Sequence, residues 1–349
     1  MATLTTTAYF ARKLVIYGIV GLVALIVSRM ALNAFSKWWL KNHPPPPPPP
    51  TVSFGVLPEI QFPNGQSRAG LTYKLETVSG SIPNLGTQAK VYFMPSYRAN
   101  VLGLELATGL AARLGFLQPP TAQDEQIYVW SKEDKFPGTL TQNLVTGHFS
   151  LSTPWFRDGE ITAGRSPAEP EAVRSAKEYL RRGGLLTPDL DTGASKVEFL
   201  KDNGSEFVPA ISQSEANYAR VQFFRAGVDN LPVVTPVDDE SLVRVVVSGV
   251  RSDKQIIAAE YKYSPVELER SSTYPLRSVQ QAWSQLQAGE GVIVRLVGDG
   301  TSQIVRSVDL AYYDSDLPQE FLQPVYVFKG DNGFIAYMPA VDPKWIGKR

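Results

Sequence analysis

Three acidic clusters are the first residues to weigh for chemistry: Asp189 with Asp191, Asp238 to Glu240, and Asp314 with Asp316 and Glu320. Paired carboxylates can hold a calcium ion or divide acid and base roles between them. Each cluster falls where a turn is expected and none follows an EF-hand spacing, so solvated loop carboxylates are the simpler reading. Only two histidines exist, His43 and His148, too few for a histidine-based metal centre within one chain. Zero cysteines exclude disulfides, thiolate ligation and thiol catalysis together. There is no G-x-S-x-G motif, no serine with lysine three residues on, no Walker loop and no dinucleotide glycine fingerprint. The expectation is a non-enzymatic protein with no catalytic, cofactor-binding or metal-binding residues.

Aromatic side chains offer the other route to function, as ligand platforms or partner contacts. Trp130 and Trp283 fit a core better than a groove, and the adjacent Tyr312 and Tyr313 must point to opposite sides of a strand, one buried and one exposed. Trp155, Phe156 and Arg157 in an expected loop, with Tyr313, are the candidate partner contacts.

The elements that place these residues begin with an anchor. Leu14 to Ser28 is an uncharged apolar run that includes Leu14, Ile16, Val20, Leu22, Leu25 and Val27. As a helix it spans only about 22 Å, short of a ~30 Å hydrocarbon core, and extension to Phe35 makes up the deficit. Arg29 then has to snorkel toward headgroups. Trp38 and Trp39, between Lys37 and Lys41, fit an interfacial belt where the chain leaves the membrane. A cleaved signal peptide is the competing account, but no small-x-small site follows promptly and the tryptophan pair favours retention. Arg12 and Lys13 on one side against Arg29, Lys37 and Lys41 on the other leave the orientation open.

Seven prolines, Pro44 to Pro50, follow. A polyproline II run of that length holds the rest of the chain about 22 Å from the bilayer, as a spacer. Lysine plus arginine and aspartate plus glutamate number 34 each in the 349 residues, so no net field favours nucleic acid.

The soluble part reads as helix followed by antiparallel strands, three times over, an α+β architecture. The expected boundaries are a short tail 1–13, a transmembrane helix 14–35, a proline-rich stalk and irregular connector 36–68, and modules 69–165, 166–265 and 266–349. In the first module, Asn100 to Leu114 carries Leu102, Leu106, Leu110 and Leu114 at i+4 spacing as its apolar face, with Gly115 as the stop. The second helix starts near Pro170 and stops at Gly183-Gly184, and the third runs from Leu276 to Gln287 with Val279, Ala282, Trp283 and Leu286 inward. Lys201-Asp202-Asn203-Gly204 and Gly330-Asp331-Asn332-Gly333 mark hairpins.

The segment Ser278 to Val341 resembles the YycH/YycI type of two-component-system regulator, and more loosely PepSY-type domains. The residues that carry the likeness are Val279 to Leu286 with Gly289, then Val308 to Tyr313, then Leu322 to Phe328 and a closing strand. The resemblance implies a bacterial, single-pass membrane protein with an extracytoplasmic body of repeated PepSY-like modules. It also implies a protein partner in the envelope, through which a sensor or envelope complex is regulated. A cell-wall or carbohydrate-binding role without catalysis is the alternative. Membrane lipid around one helix and a protein are the expected partners, with no nucleic acid.

Overall fold

The computed structural model describes residues 4–42, 48–63, 65, 70–77, 80–95, 102–133, 135–298 and 300–347. His43, Pro44 to Pro47, Arg68 and Asn100 lie outside them. The chain divides into two units, Met1–Pro49 and Pro50–Arg349.

The first unit is one helix, α1 (Leu4–Asn42). Within it Arg12–Leu40 is long and apolar enough to cross a membrane, with every residue exposed. Those 29 residues rise about 44 Å, beyond a ~30 Å hydrocarbon core. The helix is longer than the expected 14–35 at both ends, because nothing from Leu4 to Asn42 is a proline or a capping stop. Trp38 and Trp39 are therefore part of the helix, where both rings meet Phe35 at 5.8 and 6.1 Å.

In the second unit, β1 (Leu57–Pro58), β2 (Thr72–Leu75) and β3 (Gln88–Phe93) precede α2 (Gly103–Arg113). Then come β4 (Thr121–Ala122), β5 (Ile127–Lys132), β6 (Gly138–Asn143), β7 (Phe149–Ser152), α3 (Gly159–Thr162), α4 (Glu169–Gly183) and α5 (Pro188–Thr192). Six strands follow: β8 (Ser195–Asp202), β9 (Phe207–Pro209), β10 (Tyr218–Phe223), β11 (Val233–Val234), β12 (Val243–Ser248) and β13 (Ile256–Tyr261). The chain closes with β14 (Glu267–Pro275), α6 (Val279–Gln287), β15 (Val292–Arg295), β16 (Ser302–Tyr313), β17 (Phe321–Gly330), β18 (Ile335–Pro339) and β19 (Ile346–Gly347).

The strands form two main sheets, so the fold is α+β and mostly sheet. The large sheet is antiparallel throughout, in the order β4-β5-β6-β7-β13-β12-β10-β8-β9. Helices α2 and α4 bury Ala107, Leu110, Ala111, Ala172, Ala176, Tyr179 and Leu180 against one of its faces. The second sheet runs β11-β16-β17-β18-β15, extended by β2 on β16 and by β3 and β14 beyond β17. Trp283 and Leu286 of α6 pack there with Val308, Leu310, Tyr326 and Phe328, and the Trp283 and Phe328 rings lie 5.9 Å apart.

This pairing replaces the three-module division. β7 pairs with β13 across the expected 165/166 boundary, which fuses the middle strands into one sheet. β2 and β3 leave the first module to pair with β16, β14 and β17, and so complete the C-terminal sheet. Edge hydrogen bonds are the same whichever strand supplies them, so sequence neighbourhood does not decide the partner.

Two local expectations also change. The connector expected to reach residue 68 belongs to the second unit from Pro50 onward. Val52 N donates to Thr273 O at 3.0 Å, Leu57 is buried with Val91, Tyr274 and Val341, and β1 pairs in parallel with β19. The leucine stripe of α2 packs only through its C-terminal half: Leu110 is buried and Leu114 packs against the core, while Leu102 is 57% and Leu106 64% exposed. Each i+4 step turns a helical stripe by about 40°, so the four leucines fan over about 120°. Ala107 and Ala111, small enough for close approach, take the sheet-facing positions with Leu110.

Local signals act where they were expected. Pro170 lies in the first turn of α4, Gly184 caps it at φ 72°, and Ser278 and Gln281 close a capping box on α6. The 201–204 and 330–333 segments turn β8 into β9 and β17 into β18, with Asn332 left-handed at φ 54°.

Candidate functional site

Each acidic cluster is tied into ion pairs. Asp191 meets Lys177 at 2.7 Å, Asp238 meets Arg295 at 2.5 Å, Asp239 pairs with Lys196 and Glu240 meets Arg244 at 2.7 Å. Among the described residues no group of three or more His, Cys, Asp or Glu side chains is arranged to hold a metal ion.

Asp189 and Asp314, from two different clusters, meet on Arg225. Its Nη1 donates to Asp189 Oδ2 at 2.7 Å, its Nε to Asp314 Oδ2 at 3.0 Å and its Nη2 to the Ser264 carbonyl at 2.6 Å. The guanidinium lies 4.3 Å over the Tyr263 ring, whose hydroxyl donates to Asp189 at 3.1 Å. Both Arg225 and Asp314 side chains are about 95% buried, at 5% and 6% exposure. Burial alone would lower the Arg225 pKa, but Asp314, Tyr263 and Asp189 outweigh it and raise the value. Burial pushes the Asp314 carboxyl up, with Arg225 opposing. Asp189 comes from α5, Arg225 follows β10, Ser264 links β13 to β14 and Asp314 ends β16, so the cluster bolts the two sheets together. No spacing in the sequence signals it.

His148 Nε2 lies 3.4 Å from Ser264 Oγ, a histidine–serine pair that sequence reasoning missed because 116 residues separate the two. Burial, with Lys262 adding to it and Asp316 opposing, lowers the imidazole pKa to about 4. An imidazole that weakly basic is a poor proton acceptor near neutrality. The pair works as a hydrogen bond beside the bolt.

The candidate partner contacts separate. Trp155 is only 5% exposed, stacked on Phe207 at 4.4 Å and edge-on to Tyr218 at 5.1 Å, so this expected surface residue is core. Tyr313 is also buried, and so is Tyr312. The expectation of one inward and one outward ring fails because this sheet is covered on both faces. Phe62 packs on Tyr313 at 4.7 Å and Tyr92 on Tyr312 at 5.6 Å. Phe156 and Arg157 remain at the surface, the guanidinium 5.5 Å over the Phe156 ring.

Concave sites also lie on the second unit. A cleft of about 250 Å³ opens where α2 ends, beside α4 and at one end of β5, β6, β7 and β13. Ser175, Glu178, Tyr179 and Arg182 line it from one face of α4, and Arg113, Phe116, Lys132 and Leu151 line it from α2 and the sheet. The buried Tyr179 hydroxyl has no hydrogen-bond partner among the described residues, and burial raises its pKa. A shallower groove of about 550 Å³ runs along α6, lined by Gln280, Gln281, Ser284, Gln285 and Lys344.

No family model matches the chain, and no curated protein matches it. Among solved structures, an uncharacterized protein from Eubacterium rectale ATCC 33656 aligns over 73% of this chain and 84% of its own, at 13% identity and a TM-score of 0.34. A likeness of that size bears on neither site nor activity.

Proposed function

We propose that this chain is a single-pass, membrane-anchored protein whose body lies outside the cytoplasm and acts by protein–protein contact, regulating a sensor or envelope complex without catalysis. The carrying observation is α1. Its 29-residue apolar span is exposed along its whole length, and that much apolar surface in water is costly unless lipid or a partner helix covers it.

The order α6, β15, β16, β17, β18 supports a YycH/YycI-type, PepSY-like reading of the C-terminal region, since a helix followed by a meander is what that resemblance implies. The groove on α6 keeps a carbohydrate-binding envelope role as the second reading. Its glutamine amides suit hydroxyl-rich ligands, but no aromatic ring lines it for sugar stacking.

Protease added to intact spheroplasts tests the placement. Digestion of the body, with a mature chain that begins near Met1, is the expected result. A shielded body reverses the topology, and a mature amino terminus near residue 35 makes α1 a cleaved signal. Crosslinking and pull-down of the full-length protein from its native membrane then test whether a defined protein partner exists.

A further inference from the structure

We infer that a groove on the wetter face of the large sheet, walled by Phe156, binds a neutral oligosaccharide. This goes beyond the proposed protein contact and stands apart from the groove on α6.

Strand register sets the floor of this groove. Ser131 of β5 pairs with Thr139 of β6, and Thr139 with Ser152 of β7, so three hydroxyl side chains form one row across neighbouring strands about 4.8 Å apart. Their chain neighbours Trp130, Leu140 and Leu151 belong to the helix-covered core, which turns the row to the opposite face. None of the three hydroxyls makes a hydrogen bond among the described residues. Farther along that face Ser152 is level with Ala258 and Val246, and there Trp155 and Ile161 cover the sheet. The groove opens where this cover ends, with Phe156, Pro154 and Pro137 as its apolar wall. Phe156 is 39% exposed.

The two surfaces match the two sides of a sugar. A hydroxyl both donates and accepts, as each sugar hydroxyl does, so a row of them can meet successive hydroxyls of a glycan. The aromatic ring and the prolines suit the apolar C–H face of a pyranose. Lys132 and Glu133 on the lining are of opposite sign, so no net charge there selects an ion. The groove, about 460 Å³, falls within the ~300–1,000 Å³ of small-molecule sites. Thr139 and Ser152 sit on strands paired on both sides, so no backbone edge beside them invites an added peptide strand.

Titration calorimetry of the full chain in a polyoxyethylene detergent, which carries no sugar, tests the inference with cellopentaose, chitopentaose, maltopentaose and pentaproline as probes. Saturable binding of at least one of the three sugars, with a Kd below about 10 mM, is expected, and the sugar that binds identifies the glycan class. Thr139→Val keeps the side-chain shape and removes the central hydroxyl, and should weaken that sugar at least about threefold, the loss of one net hydrogen bond. Phe156→Ala should weaken it at least about fivefold, with an unchanged melting midpoint as the check that the variant is folded. Ser152→Ala, on an exposed position, replaces Phe156→Ala as the second variant if the latter does not fold. Gln280→Ala, in the groove on α6, should leave binding unchanged. The inference falls if no sugar binds saturably, if pentaproline binds as tightly as the best sugar, if Thr139→Val leaves binding unchanged, or if Gln280→Ala abolishes it, which would move the sugar to α6.

Discussion

The two sheets solve burial in different ways. In the large sheet, β6 reads buried and half-buried in strict alternation and β7 alternates buried with exposed, so those strands have a helix-covered face and a wetter one. In the second sheet, β17 is buried at seven consecutive positions, Leu322 to Phe328, and β18 at four, Ile335 to Met338. Trp283 and Leu286 of α6 cover one of its faces, while Ile60, Phe62 and Val234 lie on the other, packed on Tyr313, Val325 and Tyr337. An alternating strand declares its inner face in its sequence. A strand covered on both sides reads as a continuous apolar run, and which segments cover it cannot be deduced locally.

The sharpest way to break this comparison is to truncate rings on both faces of the second sheet. Trp283→Ala and Tyr313→Ala should each cost about 3–5 kcal/mol in chemical denaturation, since each empties a packed position. A cost under about 1 kcal/mol for Tyr313→Ala would show that the face under Phe62 is open, as in ordinary antiparallel sheets. Trp155→Ala belongs with the large effects, at about 3–5 kcal/mol, because its ring is core and not a surface contact.

Arg225→Ala should cost about 3 kcal/mol or more, because it strands the buried Asp314 carboxylate. If the cluster joins the sheets, the variant should also lose cooperativity, with tryptophan fluorescence and far-UV circular dichroism melting apart.

A smaller effect is expected at His148. Its folded pKa, about 4, lies below the 6.5 of the free side chain, so the folded state holds fewer protons between those values. The stabilising contribution is complete above pH 6.5 and lost as pH falls toward 4, an effect of about 2 kcal/mol after allowance for partial exposure. His148→Gln should flatten that part of the stability profile, and an unchanged slope between pH 6.5 and 4 would place the histidine in solvent. The smallest effect tests the wet face of the large sheet: Ser150→Ala, on an exposed position of β7, should stay within about 0.5 kcal/mol in the same denaturation assay.

The sequence by itself determined the features that depend on neighbours along the chain. These are the apolar helix, the proline and glycine ends of α4, the capping box of α6, its inward face of Val279, Ala282, Trp283 and Leu286, and the hairpins at 201–204 and 330–333. Each rests on a turn geometry or a 3.6-residue period, which a few adjacent residues specify. Only the tertiary structure decided that β7 joins β13, that β2 and β3 complete the C-terminal sheet, and that Trp155 is roofed by Phe207. It alone brought Asp189, Arg225, Ser264 and Asp314 together, and set Arg113 against the end of α4 to form the cleft. A backbone hydrogen bond carries no address, so strand partners and long-range charge pairs are selected by how whole faces pack, and no short window of sequence contains that choice.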